Sequence, residues 1–396
     1  MKVYIITPTT FPLGLADTNR IIYYAKMLKN NGIDVQVLIY KRNNLYNNKD
    51  SKGVFEEIPF EYVGGVCNRS ASVWKARFYD CYDRYALFQY LRRHLRKDDI
   101  VFCYGSLYTN LISMITHIKK AKFVFNLCEL PHVVENESWK SRLLRDLFGK
   151  IVLKNSDAVV TITKALTLYT RKYVRENLPI LEIPILVDYA KYTMKDRSHE
   201  SERVYIFHAG SLSESKDGFL GMIEAFGLAS LELNRNFVFI STGAINKCPH
   251  KKELEELIRK YSLENKLIFT GYLTDDELKD YLSKASMVII NKYRSLQNQY
   301  CFSSKLAEYM AASKAIIMTD VSESRDWLKS GHDCMIIEPE NTTELTKAIK
   351  ILYEQQEMRR NIGQNANRSC LKLFDYNVYS KPLKEFFESL IYNTHV

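Results

Sequence analysis

Two stretches of this sequence bring together residue types suited to holding a phosphate. In the first, His208-Ala209-Gly210-Ser211-Leu212-Ser213-Glu214-Ser215-Lys216-Asp217-Gly218, an apolar run ends at a glycine, and a lysine precedes a helical pattern starting near Gly218. Gly210 allows a tight turn and close approach of backbone to ligand. Lys216 is a compact positive charge beside a helix start, where free N–H groups and the helix dipole both favour an anion. The same loop also reads as an ordinary strand-to-helix connection with a solvated lysine. The second stretch is Asn298-Gln299-Tyr300-Cys301-Phe302-Ser303-Ser304-Lys305-Leu306-Ala307-Glu308-Tyr309-Met310. Here Ser303 or Ser304 is the natural helix cap, and Leu306, Tyr309 and Met310 form the buried stripe. With Ser304 as cap, Glu308 is the fourth helical residue and has no capping-box duty, which belongs to the third. A carboxylate there, one turn from a phosphate-binding helix start, can reach a ribose diol. The plain alternative is a Lys305–Glu308 ion pair contributing about 0.3 kcal/mol. Two helix starts and a lysine closing on a diphosphate supply several charge-assisted hydrogen bonds, each of order 1.5–3 kcal/mol, so no cation is required.

The elements that must position these groups alternate. Short apolar runs predict strands at 3–7, 35–40, 100–104, 123–127 and 158–163, then at 204–208, 237–241, 267–270, 287–290, 315–320 and 334–337. Helix-period segments lie between most of them, which predicts an α/β protein with parallel sheets flanked by helices. One helix is expected at 20–30 with Gly32 as its stop. The Asn/Lys-rich stretch 41–52 reads as a surface loop. A polar, charge-mixed stretch at 189–203 reads as a linker, giving two doubly wound domains, 1–195 and 196–375. Beyond residue 337 only helix patterns remain, near 343–356, 358–374 and 378–391. Two such domains place a ligand crevice at the carboxyl ends of their strands.

Bulk properties narrow the class. A chain of 396 residues exceeds one ordinary core, and 46% apolar residues is normal for a globular protein. No window holds the ~18 uninterrupted apolar residues of a membrane span, and the first apolar run is too short for a signal peptide, so a cytoplasmic protein is expected. The eight cysteines and eight histidines are scattered without a Cys-x-x-Cys pair, which predicts buried thiols and no structural metal. No Asp-x-Asp pair occurs that could chelate a cation on a diphosphate. A formal charge of +10 favours acidic partners.

At these residues the chain resembles the retaining glycosyltransferases of the GT-B fold, family 4. The resemblance rests on three segments in order. They are the Ala-Gly-Ser loop with Lys216 and Gly218; Phe269-Thr270-Gly271-Tyr272-Leu273 with residues 275–281 and 285–288; and Phe302 to Ala311 with 315–320. Together with Gly331, Ile336 and Pro339 these cover roughly 204–370. The resemblance implies two Rossmann-like domains facing across a cleft, the last helix (376–396) crossing back to complete the first. It implies a nucleotide diphosphate sugar as donor, a glycan or lipid-linked acceptor, no metal or other cofactor, and a role in cell-surface polysaccharide synthesis. Lys216 would neutralise the leaving diphosphate, and the amides of 303–305 would bind it. Glu308 would hold the ribose, and Thr270, Gly271 and Tyr272 would edge the base. Gly210, Ser211 and Lys305 complete the donor set. On the acceptor side, Glu129 and His132 follow a strand where the family commonly places a histidine against the sugar; the plain reading of both is structural. Where the family often has an acid eight residues before Glu308, this chain has Tyr300. The paired glycines of its first loop are reduced to Gly14, which reads equally as a turn glycine.

Residues 138–154 carry Lys140, Arg142, Arg145, Lys150 and Lys154 among Trp139, Leu143, Leu144, Leu147 and Phe148, and 84–97 is also basic. One reading is contact with an anionic membrane on the inner face of the cell; the other is amphipathic domain helices with solvated outer faces, their aromatics in core-like positions. No nucleic-acid motif is present. A nicotinamide dehydrogenase would need a Gly-x-Gly-x-x-Gly that neither loop supplies. A sugar-nucleotide epimerase or phosphorylase of the same fold, or a non-catalytic nucleotide-binding subunit, shares the diphosphate logic.

Overall fold

The computed structural model describes residues 1–44, 48–133, 137–192, 204–210, 212–233 and 237–392. They form two compact units, Met1–Leu186 with Tyr376–Val396, and Val187–Asp375. The changeover at Leu186 precedes the expected boundary at 195, which lies outside the described residues.

The first unit is built on an eight-stranded sheet. Its strands are β1 (Lys2–Thr7), β2 (Asp34–Ile39), β3 (Lys52–Phe55), β4 (Ile58–Tyr62), β5 (Ile100–Cys103), β6 (Lys122–Leu127), β7 (Ala158–Thr161) and β8 (Ile180–Glu182), in the order β3-β4-β2-β1-β5-β6-β7-β8. All neighbours are parallel except β3–β4. Helices α1 (Ala16–Asn30), α2 (Val73–His94), α3 (Thr109–Ile118), α4 (Trp139–Phe148) and α5 (Lys164–Arg171) cover it. A π turn at Gly149–Leu153 continues α4. The central strands are apolar because both faces are covered: every residue of β5 and β7 is buried. The reading of 41–52 as loop is corrected at its end, where Lys52 opens the β3–β4 hairpin, and β8 was not expected either.

The second unit has a six-stranded, wholly parallel sheet, β11-β10-β9-β12-β13-β14. Its strands are β9 (Tyr205–His208), β10 (Val238–Ser241), β11 (Leu267–Phe269), β12 (Met287–Ile290), β13 (Ala315–Thr319) and β14 (Met335–Ile337). The helices are α6 (Glu214–Asp217), α7 (Phe219–Glu232), α8 (Lys251–Tyr261), α9 (Asp275–Lys284), α10 (Leu296–Tyr300), α11 (Ser304–Ala311), α12 (Ser324–Trp327), α13 (Thr342–Glu354) and α14 (Gln356–Leu373). The last helix, α15 (Ser380–Tyr392), belongs to the first unit: Leu383, Phe387, Leu390 and Ile391 join its core, and Phe387 meets Phe102 edge-on with ring centroids 5.4 Å apart.

Each sheet therefore reverses its strand order once, between β1 and β5 and between β9 and β12. Loops leaving the carboxyl ends at such a reversal splay apart and open a crevice.

Candidate active site

In the second unit the reversal gathers the loops after β9 and β12 with the start of α11. Gly210 follows β9, its N–H donating to Thr242 Oγ1 at 3.1 Å. A Cβ at Gly210 would run into the Lys305 ammonium and the His208 ring, so only glycine leaves room for that lysine. Lys305 Nζ stands 3.3 Å from Asp217 Oδ1, and Lys292 Nζ, from the loop after β12, is 3.9 Å from the same oxygen. Lys292 also donates to the Lys216 carbonyl at 3.3 Å and to Asn298 Oδ1 at 3.5 Å. Burial pulls the Lys305 ammonium down from the usual lysine range, and Lys292 adds to that, while Asp217 opposes it. His208 is buried and pushed down to about 3, mainly by burial and then by Lys305, so it is a neutral imidazole under the loop.

Lys216 itself is exposed. It sits inside the one-turn helix α6, and Gly218, in the left-handed conformation at φ 56°, breaks α6 from α7. The expected second anion-binding helix start is corrected here. Glu214 occupies the first turn of α7, accepting from Leu220 N–H at 2.5 Å and from Tyr293 Oη at 2.6 Å. That carboxylate takes one of the free N–H groups that the sequence reading offered to a phosphate. The ammonium groups that the fold brings together are those of Lys305 and Lys292, and Lys292 and Asp217 were absent from the residues expected at the site. Asn291, just before Lys292, donates to the Gly218 carbonyl at 2.8 Å and pins the α6–α7 break.

Helix α11 starts one residue earlier than the argument for Glu308 assumed. Ser303 is the cap, without a side-chain capping bond, so Glu308 is the fifth helical residue and still has no capping duty. With no hydroxyl capping it, the first turn presents the amides of Ser304 and Lys305 as anion donors. Burial pushes Glu308 up to about 7, with Lys305 pulling the other way. Tyr300 ends the short α10 and is half-buried. Thr270, after β11, donates its N–H to the Ser241 carbonyl at 2.9 Å; Gly271 takes φ 73°, and Tyr272 is 75% exposed. Ser211 lies outside the described residues.

In the first unit, Gly14 is explained by packing: a Cβ there would collide with the Thr18 and Thr10 hydroxyls. Glu129 is exposed. His132 is half-buried at φ 55°, its Nε2 shielded and without a partner, and burial with Arg145 nearby lowers its pKa. More informative is a set that sequence reasoning missed. Arg20 of α1 donates to the Pro184 carbonyl at 2.6 Å, the Ile183 carbonyl at 2.8 Å and Tyr24 Oη at 2.6 Å, yet its Nε has no partner. Tyr104 Oη and both amide atoms of Asn126 are likewise buried and unpartnered. The β5–β6 register runs from Ile100↔Lys122 to Cys103↔Phe125, and one further step sets Tyr104 beside Asn126. Tyr104 and Val124 both enter the core under α1, and alternation puts Asn126 on that same face. Buried donors and acceptors left unmade cost about 1–3 kcal/mol each, so such a group calls for a water or a ligand. The signal was present: Asn126 is the one polar residue in Phe123-Val124-Phe125-Asn126-Leu127.

Among the described residues, no three His, Cys, Asp or Glu side chains are grouped to hold a metal ion, and no helix is long and apolar enough to cross a membrane.

Residues 192–369 match the family described as Glycosyl transferases group 1. An uncharacterized glycosyltransferase of Methanocaldococcus jannaschii is 24% identical over 252 residues, 61% of each chain. The N-acetyl-alpha-D-glucosaminyl L-malate synthase of Bacillus anthracis is 21% identical over 249 residues, again 61% of each. The match thus spans about three fifths of these relatives' length. Among solved structures, the sucrose-phosphate synthase of Thermosynechococcus elongatus superposes with a TM-score of 0.76 at 14% identity, covering 99% of this chain and 100% of that one. An Anabaena protein, HepE, solved with UDP-glucose, gives 0.73 at 15% identity, covering 98% and 100%. These likenesses establish the GT-B fold, and the group 1 glycosyltransferase match covers residues 192–369, just under half of the chain.

Proposed function

We propose that this protein is a retaining glycosyltransferase that needs no metal ion and moves a sugar from a nucleoside diphosphate to a glycan or lipid-linked acceptor, in cell-surface polysaccharide synthesis. The observation that carries the reading is the pair of ammonium groups, Lys305 and Lys292, converging on one Asp217 oxygen beside Gly210 and the uncapped start of α11. Two half-buried cations sharing one carboxylate leave positive charge to spare, and the diphosphate supplies the balance. Gly210 lines its approach, the Ser303, Ser304 and Lys305 segment binds its oxygens, and Lys216 closes from the exposed side. Glu308 accepts from the ribose diol. Thr270, Gly271 and Tyr272 border the base, and Tyr300, in place of an acid, faces the sugar.

The charge that develops on the leaving phosphate is the charge these groups are arranged to meet. In the transfer, the bond from the anomeric carbon to the phosphate oxygen breaks, and the acceptor oxygen bonds on the same face of the ring. The departing phosphate takes the acceptor proton. On the first unit, His132, neutral and with a shielded ring nitrogen, and Glu129 contact acceptor hydroxyls, and the unpartnered Tyr104, Asn126 and Arg20 groups extend that set. That HepE was solved with UDP-glucose supports a nucleotide sugar as donor.

The test is a thermal-shift screen of nucleotide sugars on the full chain, then transfer assays in EDTA with the product mass and anomeric configuration read by mass spectrometry and NMR. Stabilisation by one nucleotide sugar, transfer that survives EDTA, and retention of configuration are expected. Absence of any nucleotide-sugar binding would refute the reading.

A further inference from the structure

Helix α2 carries an unusual outer face. Trp74, Phe78, Tyr85 and Phe88 repeat at helical spacing on one stripe and are 81%, 68%, 61% and 39% exposed. Isolated exposed apolar residues are ordinary, but a contiguous aromatic stripe over four turns is not. Helix α3, which packs beside α2, exposes Leu111, Met114 and Ile118 in the same way. Between them runs an apolar groove of about 380 Å³, floored by Leu91, Ile112 and Ile115. The reading of 138–154 is revised in one respect: Trp139 of α4 is 69% exposed rather than core-like.

The charges on this surface have one sign. Both acids of α2 turn away from it: Asp83 is buried in a 2.8 Å pair with Arg42, and Asp80 is held by Arg69 at 2.9 Å. Helix α3 contains no acid. Arg77, Arg84, Arg92 and Arg93 of α2 are exposed around the stripe. A second copy of the chain docked here by a twofold axis would set these arginines against their own equivalents with no carboxylate on either helix face to answer them. An anionic lipid surface answers both features, since its headgroups meet the guanidinium groups and its interfacial region takes the aromatic rings.

We propose that the α2–α3 face is a membrane-docking surface for bilayers containing anionic lipid, with Trp74 and Phe78 as its inserting side chains. The surface is independent of what the protein transfers. The test is co-sedimentation of the full chain with phosphatidylcholine vesicles, with and without phosphatidylglycerol, alongside Trp74→Glu/Phe78→Glu and light scattering. Both side chains are exposed, so the double variant keeps its melting temperature and its stabilisation by nucleotide sugar, which separates this test from the one for transfer. Binding is expected only with phosphatidylglycerol, weakened by salt, and lowered at least about tenfold in the double variant. Vesicle binding undiminished in the double variant overturns the proposal. So does equal binding without phosphatidylglycerol, or self-association that the double variant abolishes while vesicles are never bound.

Discussion

The two strand-order reversals of this molecule are equipped in opposite ways. At the second, between β9 and β12, the charged groups already have internal partners: Asp217 holds Lys305 and Lys292, and Glu214 fills the start of α7. At the first, between β1 and β5, polar atoms of Arg20, Tyr104 and nearby Asn126 are buried without partners. A site for a strongly charged ligand can keep a resident counter-ion, because a diphosphate outcompetes one carboxylate for two ammonium groups. A site for neutral hydroxyls has no such resident. Its groups wait for water or ligand.

The largest break in this contrast comes from removing the shared cation. Lys305→Ala should lower kcat/KM for transfer by about 10³, the loss typical of one group that stabilises charge in the transition state. Asp217 keeps Lys292 as partner, so the melting temperature should change little. A variant within threefold or so of the parent, measured by steady-state kinetics, would remove Lys305 from the chemistry.

The first reversal is tested by Asn126→Leu, which removes an unpartnered amide at nearly constant volume. Replacing an unsatisfied polar group by an apolar one of similar shape is close to neutral for stability. If Asn126 binds acceptor hydroxyls, KM for acceptor should rise about tenfold, the effect of losing one or two hydrogen bonds, while KM for donor stays put. An unchanged acceptor KM with an unchanged melting temperature would reduce Asn126 to a water ligand.

How much of this could be read beforehand differs between the units for a physical reason. Buried parallel strands announce themselves as apolar runs, so β9, β10, β12 and β13 were legible, as was the start of α11 at Ser303–Ser304. The β3–β4 hairpin was not. Its β3 edge is largely exposed, and its turn uses Glu56 and Glu57 at φ 45° and 65° where glycine or asparagine would have signalled it. Lys292 was missed because a lysine following a strand has no spacing signature; only the fold brings it to Asp217. The Glu214 side chain looked like one more loop charge, and nothing local says that it reaches forward to the start of α7.

A smaller effect is expected from Asp217→Asn. Without the carboxylate, two half-buried ammonium groups face each other, so the nucleotide-free protein should melt lower. A nucleoside diphosphate would then meet uncompensated charge, and its affinity by calorimetry should rise severalfold. Weaker binding would mean that Asp217 orients the lysines for the ligand rather than standing in for it.

The smallest effect concerns Glu308. Its folded pKa of about 7 lies above the ordinary value of 4.5, so the carboxyl is mainly neutral below about pH 7 and ionised above it. Stability from this group is complete below about 4.5 and is lost as pH rises through about 7. Donor binding works in the other direction. A ribose diol donating to the carboxylate favours the ionised form, so binding should release a proton near neutrality and affinity should fall a few-fold as pH drops below about 7. Glu308→Gln keeps the shape without the titration, and its weaker nucleotide affinity should be flat across that range. Calorimetry in buffers of different ionisation enthalpy reads the proton directly. If the parent shows no proton release and Glu308→Gln retains the parent's pH profile, the ribose is held elsewhere, and the contrast between the two reversals would rest on the lysines alone.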